Sequence, residues 1–186
     1  YLVAMYNLDQ VAFRKQLELS IARKEVPETW RDWQGNAQVS IAIRLGNSVA
    51  NGLMYCFLPL GEEGKAPFAG YINANFYTKM DRRSVNEGVG LNKHFIDIAA
   101  RLSCRLIDFL IKKNWPEAPG AVVDLLCWTS PYATVVQNAL GGVSGGLLDR
   151  PLLPTRKSEG GTRWSKVREA LIWAAPGESC LSAENV

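Results

Sequence analysis

Apolar and polar residues alternate most strictly over residues 38–45, where Val39, Ile41, Ile43 and Leu45 interleave with Gln38, Ser40, Ala42 and Arg44. A period of two puts every second side chain on one face, so this stretch is predicted to be a half-buried strand. A second alternating run spans 67–78. Phe68, Gly70, Ile72, Ala74 and Phe76 form one face, and Tyr71, Asn73, Asn75 and Tyr77 form the other, which is unusually polar and aromatic. Between them, residues 53–58 are almost continuously apolar and read as one strand, which Pro59 ends or places at a sheet edge. Residues 1–6 form a further short apolar run and a candidate first strand.

Helical spacing replaces alternation after residue 90. Asp97, Arg101, Arg105, Asp108 and Lys112 recur every three or four residues, giving one solvated stripe of paired signs. Leu91, Phe95, Ile98, Leu102, Leu106, Phe109 and Leu110 lie largely off it, which predicts a helix over 91–113 packed on the sheet. A helix over 10–25 is predicted from Asp9 as N-cap and Pro27 as terminator. The apolar run 119–128 predicts a buried helix, 131–140 another, and 164–173 a short final one capped by Thr162 or Ser165. Residues 155–161 are polar and read as a mobile link, and the tail after Pro176 as loose.

Strands followed by helices, without strict β-α-β alternation, predict an α+β fold. The expected architecture is a mixed or antiparallel sheet of three to four strands, covered by the long amphipathic helix and further C-terminal helices. Residues 1–140 are expected to form the main domain. Residues 141–186, opening on a run of four glycines within 141–146 and containing Pro151 and Pro154, are expected to form a connection with a terminal helix.

Composition narrows the classes. The chain has 186 residues, 47% of them hydrophobic, with six Trp, six Tyr and six Phe, which is enough to build a core. A net charge of +3 is too small an excess to argue for nucleic acid. Aromatic–basic clusters such as Trp30-Arg31-Asp32-Trp33 and Arg163-Trp164-Ser165-Lys166 are too sparse to make a base-stacking platform, so nucleic acid is not an expected partner. Four scattered Cys without a C-x-x-C pair and a single His leave no zinc ligand set, so no metal site is expected. They read as free thiols in a reducing cytoplasm. No run of about 18 apolar residues is present, so no membrane span is expected. The chain opens on Tyr1 rather than Met and reads as a piece of something longer.

No phosphate loop, dinucleotide-binding glycine motif or nucleophile elbow is present, and one His cannot supply both a base and a metal site. No complete catalytic set is expected. The strongest chemical feature is the basic turn Lys79-Met80-Asp81-Arg82-Arg83 at the exit of a strand, since a phosphate calls for fixed positive charge and fork-shaped donors. A solvated turn partly neutralised by Asp81 accounts for the same residues. Tyr71, Asn73, Asn75 and Tyr77 are candidates for binding a partner's backbone, or a face simply wetted by solvent. His94, near a helix start, is a plain helix-terminal histidine or a base or phosphate contact.

Residues 53–113 resemble the region that follows the nucleotide-binding domain in sacsin-like members of the GHKL ATPases, the superfamily of the ninety-kilodalton heat-shock chaperones. The shared features are the strand ending Phe57-Leu58-Pro59-Leu60-Gly61, the strand 67–78, the Arg82-Arg83 pair, and Leu91-Asn92 opening a helix. Pro151-Leu152-Leu153-Pro154 followed by Trp164 is similar to a segment of bacterial sacsin-like proteins, so the likeness runs over residues 1–175. The resemblance implies a transducer segment beside an ATP-binding domain or subunit that this chain does not include. That neighbour would hold ATP and magnesium, and this chain would bind no cofactor by itself. The resemblance further implies a basic residue sent to the γ-phosphate: Lys79, Arg82 or Arg83 are the candidates, with Asn92 and Lys93 beside the helix start. In the heat-shock chaperones the Leu-Asn loop leads into a Ser-Arg pair. Here Lys93-His94-Phe95 follows, so that role falls to Lys93 or the arginine turn, or is absent.

Two other functions fit the same residues. One is a stand-alone interaction or scaffold module of a bacterial defence or chaperone assembly, which would dock a protein client through the aromatic–amide face or the segment 141–161. The other is a nucleic-acid-binding α+β domain.

Overall fold

The structure is a computed structural model, and it describes residues 1–61, 63–129, 132–141, 147–156 and 161–169. It is an α+β fold. Strand β1 (Leu2–Asn7) leads into α1 (Gln10–Ala22), a short 3-10 turn (Glu28–Asp32) and β2 (Gln38–Ile43). Then come β3 (Leu53–Cys56), β4 (Leu58–Pro59) and β5 (Tyr71–Ala74). Helices α2 (Gly90–Lys113), α3 (Ala118–Leu126) and α4 (Ala133–Gly141) follow, and then a hairpin of β6 (Leu153–Arg156) and β7 (Thr162–Ser165).

The main sheet is mixed, in the order β1-β2-β5-β3-β4. Four strands of four to six residues carry it, and the two-residue β4 adds an edge. Neighbours run antiparallel except β3 and β5, which pair parallel with Leu53 opposite Tyr71 and Met54 opposite Ile72. At that junction Gly52 is required: a Cβ there would sit 2.1 Å from the Phe68 carbonyl oxygen and 2.5 Å from that of Gly70. The predicted alternation holds on β2, where Val39, Ile41 and Ile43 are fully buried and Gln38, Ser40 and Ala42 are half-exposed.

Helices cover one face of the sheet. Helix α2 lies on β1 and β2, α3 packs on α2 and β2, and α1 and α4 pack on α2. Phe13 and Leu17 of α1, Phe95 and Ile107 of α2, and Ile41 and Ile72 of the sheet form the centre of the core. The charged stripe of α2 faces outward, with Arg101 paired to Asp97 at 3.0 Å one turn away. The opposite face of the sheet is open, and Val3 and Met5 of β1 are more than half exposed there.

Four sequence expectations need correction. Residues 53–58 are not one strand, because the chain reverses at Phe57 and splits it into β3 and β4. Phe57 has φ 63°, a left-handed conformation that no sequence signal marks on a phenylalanine. Helix α1 ends at Ala22 rather than near Pro27, because Lys24 turns left-handed at φ 59° and its amide bonds back to the Ile21 carbonyl. Trp164 does not open a helix: it lies in β7, paired with Pro154, and Val167–Glu169 is a 3-10 turn. Thr155 and Arg156, expected in a mobile link, lie in β6. The rest of the expected final helix, the tail, Cys180 and the glycines at 142–146 lie outside the described residues. The described part of 147–169 packs back on α2: Arg150 pairs with Asp108, Leu152 joins the core, and the Trp164 indole donates to Asn114 Oδ1 at 3.0 Å.

Candidate functional site: a clamped basic turn

Beyond β5 the chain continues from Asn75 to Tyr77 and enters a tight turn. Thr78 bridges Val85 in antiparallel fashion, the Lys79 amide donates to the Ser84 carbonyl, and the Arg82 amide donates to the Lys79 carbonyl. Arg82 closes the turn in the left-handed region at φ 55°. Asp81 is spent on the backbone, its Oδ1 accepting from the Arg83 amide at 3.0 Å in the manner of an Asx turn. It forms no ion pair with either arginine among the described residues.

Lys79, Arg82 and Arg83 are therefore presented on one exposed turn. Arg82 is tethered, since its Nη2 donates to the Cys56 carbonyl at the end of β3, 3.1 Å away. The aliphatic stem of Arg83 lies against Gly61, whose missing side chain makes the room. Arg83 and Lys79 have no carboxylate partner among the described residues. Met80, between them, is wholly exposed. Burial pushes the Cys56 thiol up, against a smaller opposing pull from Arg82, and so favours its protonated form.

Asn92 fixes this turn to α2. It is 1% exposed. Its Oδ1 accepts from the Tyr77 amide at 2.8 Å, and its Nδ2 donates to the Tyr77 and Asn86 carbonyls, each at 2.7 Å. A carboxamide has two donor hydrogens, and both are used. Asn92 is thus a clamp at both ends of the loop 77–86, with no donor left for a phosphate.

The start of α2 is closed as well. The Gly90 amide donates to Glu25 Oε2 at 2.7 Å and the Leu91 amide to Ser20 Oγ at 3.1 Å. The carboxylate already occupies the positive end of the helix, where an anion would otherwise sit. Lys93 is exposed and lines a separate cavity with Glu87 and Tyr132. Tyr132 is half-buried there beside Glu87, and desolvation and the carboxylate both push its phenol well above its ordinary value.

His94 faces a groove of 290 Å³ between β1 and α2, in company with Asp97, Arg101 and Arg105. Burial lowers its pKa, Asp97 opposes that shift, and Arg101 adds to it. The imidazole is therefore neutral at pH 7. It packs at a groove edge away from the basic turn.

The aromatic–amide face divides three ways. Tyr71 packs edge-on with Tyr55 and tilted against Tyr1 on the open sheet face. Tyr77 packs edge-on to Trp30 on the helical side. Asn73 and Asn75 line a cavity at the end of the sheet with Asn7, Asn36 and Gln38. Asn73 and Asn75 were visible in the sequence as alternating amides. The other three come from segments 35 or more residues away and carry no pattern linking them.

No protein-family model, curated protein or solved structure matches this chain. Among the described residues no group of three or more His, Cys, Asp and Glu is placed to hold a metal ion, and no helix is long and apolar enough to cross a membrane.

Proposed function

We propose that this chain is the transducer segment of a sacsin-like GHKL ATPase, working in the cytoplasm beside an ATP-binding domain or subunit. Arg82 and Arg83 supply positive charge to the γ-phosphate held by that neighbour, and Lys79 adds to the field. The observation that carries this reading is the clamp: exposed cations sit on a short, hydrogen-bonded turn tied by one buried amide to a 24-residue helix. A flexible basic loop would lose entropy on meeting phosphate, whereas a pre-set one does not.

The same tie makes the turn a relay. A phosphate that draws Arg83 towards it pulls on the loop 77–86, and Asn92 passes that pull to the first turn of α2. Loss of the phosphate releases it, the order–disorder logic by which other nucleotide switches work. ATP and magnesium belong to the neighbour in this scheme. The chain supplies charge and a lever, without nucleophile or base.

Hydrogen–deuterium exchange tests the relay in the protein that carries the neighbouring domain. Adding a non-hydrolysable ATP analogue with magnesium should slow exchange across residues 79–92. Unchanged exchange in that segment, with nucleotide bound, would sink the proposal.

A further inference from the structure

The cavity at the end of the sheet carries a second kind of chemistry. Asn7 ends β1, Asn36 precedes β2, Asn73 lies in β5 and Asn75 just beyond it, and all four line one open space of 380 Å³. No ionisable side chain lines it. The amide oxygens are used inside the protein. Asn73 Oδ1 accepts from the Phe57 amide and Asn75 Oδ1 from the Gln38 amide, each at 3.2 Å. Asn7 Oδ1 accepts from Gln38 Nε2 and Asn36 Oδ1 from Gln10 Nε2.

For Asn73 and Asn75 the donor is a main-chain N–H, which requires an oxygen opposite it. Their orientation is therefore set by chemistry, and their NH₂ groups turn the other way. Those nitrogens have no acceptor among the described residues. Asn75 is only 8% exposed and lines the cavity. Gln38 does the converse, using its nitrogen internally and leaving its oxygen.

An independent observation marks the rim. Phe57 is 76% exposed and held at φ 63°, a conformation a bulky L-residue rarely adopts. Core packing does not explain it, since the ring faces water. The Asn73 oxygen holds its amide in place. Trp33, which also lines the cavity, is fixed edge-on against Phe13 and over Gly35, where a Cβ would lie 3.0 Å from the indole.

Uncharged donors with one acceptor, in a cavity also lined by two aromatic rings, suit a ligand that is polar, uncharged and partly apolar. The donors come from alternate residues of one extended segment, about 7 Å apart at 3.3 Å per residue. An extended peptide repeats its carbonyls on one side at the same interval. We propose that this cleft binds an extended, uncharged peptide segment, with its carbonyls on the Asn73 and Asn75 amides, an N–H on Gln38, and an apolar side chain against Phe57. The site is independent of the ATPase reading, because it requires neither nucleotide nor the basic turn.

Asn→Asp substitution tests the donors, with a thermal melt of each variant checking the fold because Asn75 is only 8% exposed. Aspartate keeps the oxygen that accepts from the Phe57 or Gln38 amide and replaces the outward donor with an acceptor. Phage-displayed random dodecapeptides selected on the wild-type protein, without nucleotide, should yield apolar, weakly charged binders. Fluorescence anisotropy of a selected synthetic peptide should show affinity falling by at least about tenfold in the Asn73→Asp, Asn75→Asp double variant and in Phe57→Ala. The exposed Phe57 ring makes the second variant safe for folding. Selection of no peptide, equal affinity for Phe57→Ala, or displacement of the peptide by maltohexaose would each overturn the proposal, the last by assigning the cleft to a saccharide.

Discussion

Asn92 Oδ1 accepts from the Tyr77 main-chain amide at 2.8 Å while its Nδ2 returns a bond to the Tyr77 carbonyl at 2.7 Å, so the first turn of α2 pairs with the exit of β5 as a strand neighbour would. This two-way bond replaces the ladder that β5 loses after Ala74. It sets the basic turn at a fixed position relative to the long helix, and the transducer reading depends on it.

Replacing Asn92 by alanine removes the side-chain partners of the Tyr77 amide and the Asn86 carbonyl, and leaves the Tyr77 carbonyl with only the longer bond from the Asn86 amide at 3.4 Å. The expected destabilisation is about 2–4 kcal/mol, read from urea denaturation midpoints. Asn92→Asp keeps the acceptor for the Tyr77 amide but sets a carboxylate against two carbonyls, so it should be at least as damaging. A loss below about 0.5 kcal/mol for the alanine variant would mean that the clamp is not formed in solution.

His94 gives a pH dependence of known sign. Its ordinary pKa is 6.5, and burial lowers it in the folded chain. Between the two values the unfolded state binds more protons, so stability is complete above about pH 6.5 and is lost as pH falls through the folded pKa. The loss should stay below about 1 kcal/mol, because the groove is half open to solvent. Chemical denaturation at pH 7 and pH 5 should show a smaller drop in His94→Gln than in the wild type. Equal drops would place the imidazole in water.

Much of the fold was legible because it rests on local periodicity. Val39, Ile41 and Ile43 announce a strand, and the spacing from Asp97 to Lys112 announces a helix and its wet face, whatever surrounds them. What was not legible depends on distant partners or on unusual backbone. The reversal at Phe57 rests on a left-handed phenylalanine supported by Asn73, sixteen positions on. The start of α2 is capped by Ser20 and Glu25, more than sixty residues earlier, so no N-cap residue stands beside it in sequence. The β6–β7 hairpin was missed because Trp164 and its neighbours carry helix-compatible spacing, while their pairing with Pro154 and Thr155 is a tertiary choice.

The site was half visible. The run Lys79-Met80-Asp81-Arg82-Arg83 declares its charge, but not that Asp81 bonds the Arg83 amide and pairs with neither arginine among the described residues. The resemblance puts Asn92 among the phosphate-sensing candidates; in the fold it is 1% exposed and its carboxamide bonds the Tyr77 and Asn86 main chain.

The most direct test of the transducer reading is ATP turnover by the protein with its adjoining ATP-binding domain, comparing wild type with Arg82→Glu, Arg83→Glu and the double variant. Both side chains are exposed, and Arg82→Glu gives up the bond to the Cys56 carbonyl, so a thermal melt of each variant separates loss of fold from loss of turnover. The account predicts that the double variant loses turnover by about a hundredfold or more, with ATP affinity within about threefold of wild type, as expected for charge that acts on the transferring phosphoryl group. Turnover unchanged by reversal of both arginines would contradict it.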